Sequence, residues 1–211
     1  MGAVPSQMSF VLAWFALRAT FPPSSMQEQF ANACWNGDLQ EAQRLFALGG
    51  MNIHAIDVCT FPYTCMSGHL VVAKWLFGMG GVGIDALHDA FRLACWRGHL
   101  AVAQWLLGLG AVDIHARDDY AFRCACDGGR LAVAQWLFAL GGVDIHALND
   151  AAFHWACYKG HLGLGRWLVA LDPSWDWPSK DMEALQAWSR PRDAWMRAVL
   201  SHSLRLRKWR W

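Results

Sequence analysis

Apolar positions along this chain recur with a period of about thirty residues, and Phe30, Phe61, Phe91, Phe122 and Phe153 each open a unit. The third unit reads FRLACWRGHLAVAQWLLGLGAVDIHARDDYA and the fourth reads FRCACDGGRLAVAQWLFALGGVDIHALNDAA, so nearly every apolar position is reproduced. Each unit parses into a helix, a tight turn at glycine, a second helix, a glycine stop and a short extended finger. The second helices, such as LAVAQWLLGL over residues 100–109, are apolar nearly all round, with Gln104 the polar exception. Both flanks of such a helix need covering. A helix sandwiched between neighbouring copies meets that demand, and self-similarity at a fixed period is the mark of stacked repeats.

Local signals agree with this parsing. Ser25 and Glu28 spell a capping box ahead of a helix that starts near Met26. Asp118 or Asp119 before Phe122, and Asn149 or Asp150 before Phe153, are expected N-caps. Gly80-Gly81 and Gly141-Gly142 supply the positive-φ residues that end helices, and MNIHA and VDIHA follow as fingers. The first unit is more polar than the rest, and the fifth, FHWACYKGHLGLGRWLVAL, stops before its finger. Ends of that kind suit a stack whose outer faces meet water. The expected fold is an all-α helical repeat solenoid of about five helix-turn-helix units. Its expected divisions are an N-terminal apolar packing helix over 1–25, the repeat array over 26–172, a linker and capping helix over 173–200, and a basic Trp-rich tail over 201–211.

The string A-C-x-x-G-H-L-x-V-A-x-W-L-x-x-x-G resembles the ankyrin motif A-A-x-x-G-H-L-x-V-V-x-L-L-L-x-x-G, and the resemblance covers residues 30 to about 171. It departs from the family in two ways. The T-P-L-H opening is replaced by Y-A-F-R at Tyr120 to Arg123, leaving His154 in the family's histidine slot, and the fingers are shortened to give 31 residues instead of 33. The resemblance implies a non-catalytic scaffold that binds another protein through a concave groove, acts as an intracellular monomer of the cytoplasm or nucleus, and needs no cofactor.

Composition changes this picture little. Apolar residues make up 55%, ample for a core, and Trp alone occupies 14 positions. Cys34, Cys65, Cys95, Cys126 and Cys157 recur at steps of 31, 30, 31 and 31, which is a structural period. Equivalent positions in stacked helices lie about 8–10 Å apart. Disulfides need Cα atoms within about 7 Å and zinc ligands about 2.0–2.3 Å from one ion, so the ladder reads as buried core in a reducing compartment. The same spacing argues against a metal at the turn histidines (His69, His99, His161) or the finger histidines (His54, His115, His146), and the turn histidines are expected to hydrogen-bond backbone. Asp113 with His115, repeated as Asp144 with His146, has no neighbouring nucleophile or oxyanion site, so it is no catalytic dyad. Trp75, Trp105, Trp136 and Trp167 sit mid second helix and read as core between repeats.

Two positions vary while the framework repeats. Directly after each ladder cysteine stand Trp35, Met66, Trp96, Asp127 and Tyr158, followed by Asn36, Ser67, Arg97, Gly128 and Lys159. Variation inside a regular unit marks positions that packing does not dictate. By the resemblance, these positions end the first helices on the concave groove, which makes Trp35, Met66, Trp96, Arg97, Asp127, Tyr158 and Lys159 the expected partner-binding residues; the alternative is that Trp35 and Trp96 lean over the turn and pack on their neighbours.

The ends of the chain carry separate signals. Residues 10–17 (FVLAWFAL) are too few to span a bilayer, and residues 1–9 lack the basic residues of a secretory signal. Residues 190–211 hold seven Lys/Arg against Asp193 alone, a net +6 that leaves the remainder at −5. Arg205, Arg207, Lys208 and Arg210, interleaved with Trp and Leu, suit an anionic membrane surface or nucleic-acid phosphate as an alternative function.

Overall fold

A computed structural model describes residues 25–49 and 60–172. The expected N-terminal helix, the capping helix and the basic tail lie outside the described residues. Ten helices form among these residues, paired as five antiparallel hairpins: α1 (Met26–Asn36) with α2 (Leu39–Ala47), α3 (Phe61–Ser67) with α4 (Leu70–Gly78), and α5 (Ile84–Arg97) with α6 (Leu100–Gly108). They continue with α7 (Ala116–Asp127) and α8 (Leu131–Ala139), then α9 (Ala147–Tyr158) and α10 (Leu162–Leu171). No strand occurs among the described residues, and the five hairpins correspond to the five sequence units. Successive first helices pack on one another, so the stack propagates through α1, α3, α5, α7 and α9.

The periodic aromatic positions hold the units together. Phe30, Phe61, Phe91 and Phe122 are 0–2% exposed. Each meets the tryptophan of the following unit: Phe30 with Trp75 at 6.2 Å, and Phe61 with Trp105, Phe91 with Trp136 and Phe122 with Trp167 at 6.3 Å. Phe46, Phe77 and Phe138 present their edges to Trp75, Trp105 and Trp167 at 87–89° and 5.7–5.9 Å, the edge-to-face geometry favoured by the ring quadrupole. Unit three has Leu107 where its neighbours carry that second phenylalanine. Cys34, Cys65, Cys95 and Cys126 are fully buried beside these rings, and burial drives the Cys34 thiol up to about 12. Such thiols are small core residues and poor nucleophiles.

Unit boundaries are set at the turns. Ser25 and Glu28 form the expected capping box, with Glu28 N–H donating to Ser25 Oγ at 3.2 Å. The turn residues His69, His99, Arg130 and His161 lie against the turn glycines of the preceding units, Gly37, Gly68, Gly98 and Gly129. A Cβ on any of these glycines would overlap that side chain, and each glycine has φ between 70° and 88°. The same side chains reach the preceding unit's backbone: Arg130 Nε donates to the Trp96 carbonyl at 3.2 Å, and His161 Nε2 to the Asp127 carbonyl at 3.1 Å. His99 makes the corresponding bond to Met66.

The finger junctions differ from the sequence expectation. Asp118, Asp119, Asn149 and Asp150 do not act as ordinary extended N-caps. Residues 117–119 and 148–150 instead turn through the left-handed region, with φ between 53° and 62°. Asp and Asn tolerate that conformation better than other chiral residues, which explains their concentration there. The side chains then tie one unit to the next. Asp119, only 5% exposed, takes His115 Nδ1 on one carboxylate oxygen at 2.7 Å and Asp144 N–H on the other at 2.9 Å. Arg123, in the family's histidine slot, donates to the carbonyls of Asp118 (2.9 Å) and Arg117 (2.7 Å). Arginine at this position thus orders the finger turn, since its rigid fork of donors holds two carbonyls at once. Unit two is one residue shorter, and α5 starts directly from Gly83 without a left-handed turn.

Candidate partner-contact row on the first helices

The varying residues stand at the C-terminal ends of the first helices, as the spacing implied, but the structure splits them into two groups. Trp35, Met66 and Trp96 are 7%, 1% and 8% exposed, so three of the expected partner-binding residues are packed within the free chain. Trp35 meets Tyr63 edge to face at 5.7 Å. Met66, Leu93, Trp96 and Cys124 form a second, smaller core, flanked by Tyr63 and Tyr120. The expectation that packing does not dictate these positions is corrected here. Each first helix packs on the next, so in the first three units the residue after the ladder cysteine faces the neighbouring first helix and not open solvent. Gly128 is dictated too, because a Cβ there would run into the Trp96 carbonyl.

The exposed members are Arg97, Tyr158 and Lys159, with Asp127 partly covered. Arg97, Asp127 and Lys159 rest on the buried layer through contacts with Trp96 and with one another. Trp96 Nε1–H donates to Asp127 Oδ2 at 2.9 Å, and Lys159 Nζ donates to the same oxygen at 2.7 Å. The Arg97 guanidinium lies over the Trp96 ring at 5.1 Å. Units three, four and five are thus linked along this edge by side chains 31 and 32 residues apart. Arg205, Arg207, Lys208 and Arg210 of the tail lie outside the described residues.

A second feature of the first helices escaped sequence reasoning. Between α5 and α7 lies a cleft of about 390 Å³ with Ile114 and Tyr120 among its walls and Asp85, Asp89, Asp113 and Arg117 at its margin. Arg92 and Arg123 both stack on Tyr120, at 5.3 and 5.0 Å, and Arg92 also donates to Asp89 at 3.1 Å. His88 closes one wall. Its Nε2 accepts Asp113 N–H at 3.2 Å, which places the ring proton on Nδ1, where it is donated to the Ile84 carbonyl at 2.9 Å. The signal available in the sequence was arginine at positions where the family has histidine.

At the last finger, His146 stands between two carboxylates, with Nδ1 2.6 Å from Asp150 Oδ1 and Nε2 2.8 Å from Asp172 Oδ2. Both partners are acceptors, so the arrangement calls for protons on both ring nitrogens. The Asp150 hydrogen bond first, with the charges of Asp150 and Asp172 adding, raises the His146 pKa above 6.5 against a smaller desolvation effect. Asp144 accepts the His146 backbone N–H at 2.9 Å, and His154 is coupled to the group through Asp150. A raised folded-state pKa means the stabilisation is full below the unfolded value near 6.5 and fades as pH climbs through the raised value. The thermal midpoint of the natural chain is therefore expected to exceed that of His146→Gln at pH 6 and to converge on it as pH rises through the raised value. The ring is largely exposed, so solvent screening holds the difference to under about 1 kcal/mol. A difference that grows with pH would contradict the pairing.

Comparison with known families finds two adjoining matches. The model described as ankyrin repeats (many copies) matches residues 120–169, and the single ankyrin repeat model matches residues 83–119. No curated protein matches the chain.

Proposed function

The chain belongs to the ankyrin repeat family over residues 83–169, and from that premise we propose that it is a non-catalytic scaffold recognising a partner protein through the ends of its first helices. Ankyrin repeats are generally protein–protein interaction modules. The observation that carries the reading is the two-layer edge just described. Trp35, Met66 and Trp96 form a rigid buried row, and Arg97, Tyr158 and Lys159 project from it. Side chains held on a packed support lose little freedom on binding, and Arg and Tyr are enriched among residues that dominate binding energy. Asp127 orients this edge by holding Trp96 and Lys159.

The test uses the intact chain beside Arg97→Ala/Tyr158→Ala. Neither residue belongs to the core, so the variant should keep its fold by circular dichroism. A partner recovered with the intact chain and then titrated directly is expected to bind the variant at least about tenfold more weakly, the loss typical of removing interface anchors. Equal affinity would remove this edge from the interface.

A further inference from the structure

The finger edge of units three to five carries exposed aspartates Asp85, Asp89, Asp113, Asp118 and Asp144 against one exposed arginine, Arg117. Of these five, Asp89 is paired with an arginine, while Asp113 and Asp144 each spend one oxygen on a backbone N–H group. The cleft between α5 and α7 opens among Asp85, Asp89 and Asp113, with Ile114 in its wall; of its two arginines, Arg92 is held by Asp89 and Tyr120, and Arg117 stands at the margin. Its chemistry suits a segment that alternates cationic and aromatic residues. The chain contains one such segment: SLRLRKWRW occupies residues 203–211 with four Arg/Lys, two Trp and no acid.

Reach and position agree with that match. The described structure ends at Asp172, which His146 holds against the same finger edge. From there to the cleft is two repeat steps, about 20 Å at the usual interhelix spacing. Residues 173–200 number 28. They span up to about 90 Å extended and about 40 Å even if wholly helical. We propose that residues 201–211 dock on their own chain at the Asp85–Asp89–Asp113 cleft, with Arg side chains on the rim carboxylates and a Trp ring against Ile114. The partner edge proposed above lies at the opposite, C-terminal ends of the first helices. The tests below contain no partner and stand apart from that reading.

Full-length protein is digested with trypsin at low and high salt, and cleavage after Arg205 and Arg207 is followed by mass spectrometry. Several exposed ion pairs and one sheltered ring should slow cleavage about tenfold relative to Asp85→Asn/Asp89→Asn/Asp113→Asn at low salt. The protection should fade at high salt, as exposed charge pairs are screened. It should be independent of protein concentration, since the contact is within one chain. Equal cleavage rates in the two proteins at low salt would overturn the proposal, as would protection that grows with concentration, which would point to a second copy. A second measurement leaves the repeats untouched. In Arg205→Gln/Arg207→Gln/Arg210→Gln, amide hydrogen exchange over residues 84–92 and 113–121 should accelerate relative to the natural chain, and unchanged exchange there would also overturn docking.

Discussion

Phe91→Ala is expected to lower the stability of the repeat stack by about 3–5 kcal/mol, the range for truncating a fully buried phenylalanine. Phe91 is 2% exposed in the middle unit and packs on Trp136 of the next, so the cavity opens between two units and not inside one. Neither α5 nor α7 can shift to fill it freely. Phe61 and Phe122 fix the same register on either side, against Trp105 and Trp167. For a chain of this length the loss corresponds to a fall of roughly 10 °C in the thermal midpoint. Because stability in a repeat array depends on each interface, urea denaturation should also become less cooperative, as the stack divides near the damaged junction. A change below about 1 kcal/mol would mean that Trp136 closes the gap, and that the aromatic ladder is less interlocked than the structure indicates.

Gly128→Ala is expected to cost about 1–3 kcal/mol, the usual range for forcing extra volume into a packed site. Conformational preference is not the cause, since Gly128 has φ −79° and ψ −8°, which alanine adopts readily. The cause is contact. The added Cβ would run into the Trp96 carbonyl oxygen, which also accepts Arg130 Nε. A backbone atom cannot rotate aside like a side chain, so the α5–α7 junction itself has to open. Gly80→Ala is the matched control. It has φ 81° with nothing within 4 Å of the new methyl group, so it isolates the left-handed backbone penalty of about 1–2 kcal/mol. The two variants separate by structure: Gly128→Ala should disturb the near-ultraviolet signal of the tryptophans beside the junction, and Gly80→Ala should leave it unchanged. An undisturbed signal in Gly128→Ala would argue against the close approach.

Much of the architecture was legible because the period repeats the same physical demand five times. A second helix that is apolar on both flanks, as Leu100–Gly108 is, has no stable place except between neighbours. The phenylalanine and tryptophan ladders, the buried cysteines and the turn glycines follow from that. The partner-contact row was legible only in position. Trp96, Asp127 and Lys159 appear in the sequence as unrelated variations 31 and 32 residues apart, and each taken alone reads as surface. Stacking places them side by side, where tryptophan becomes core, aspartate becomes its acceptor and lysine the outer partner. Arg123 is a similar case. In the sequence it is only a departure from the family motif, whereas in the fold it donates two hydrogen bonds that order the finger turn.

Sequence alone determined that this chain builds a stack of paired helices, because periodic burial and glycine placement are local properties that any one unit displays. Only the tertiary structure decided which side chains are free to meet a partner. Exposure at the end of a first helix depends on what the next first helix places opposite it. That opposing surface changes from unit to unit: Tyr63 covers Trp35, Asp127 engages Trp96, and Tyr158 remains exposed at the last unit.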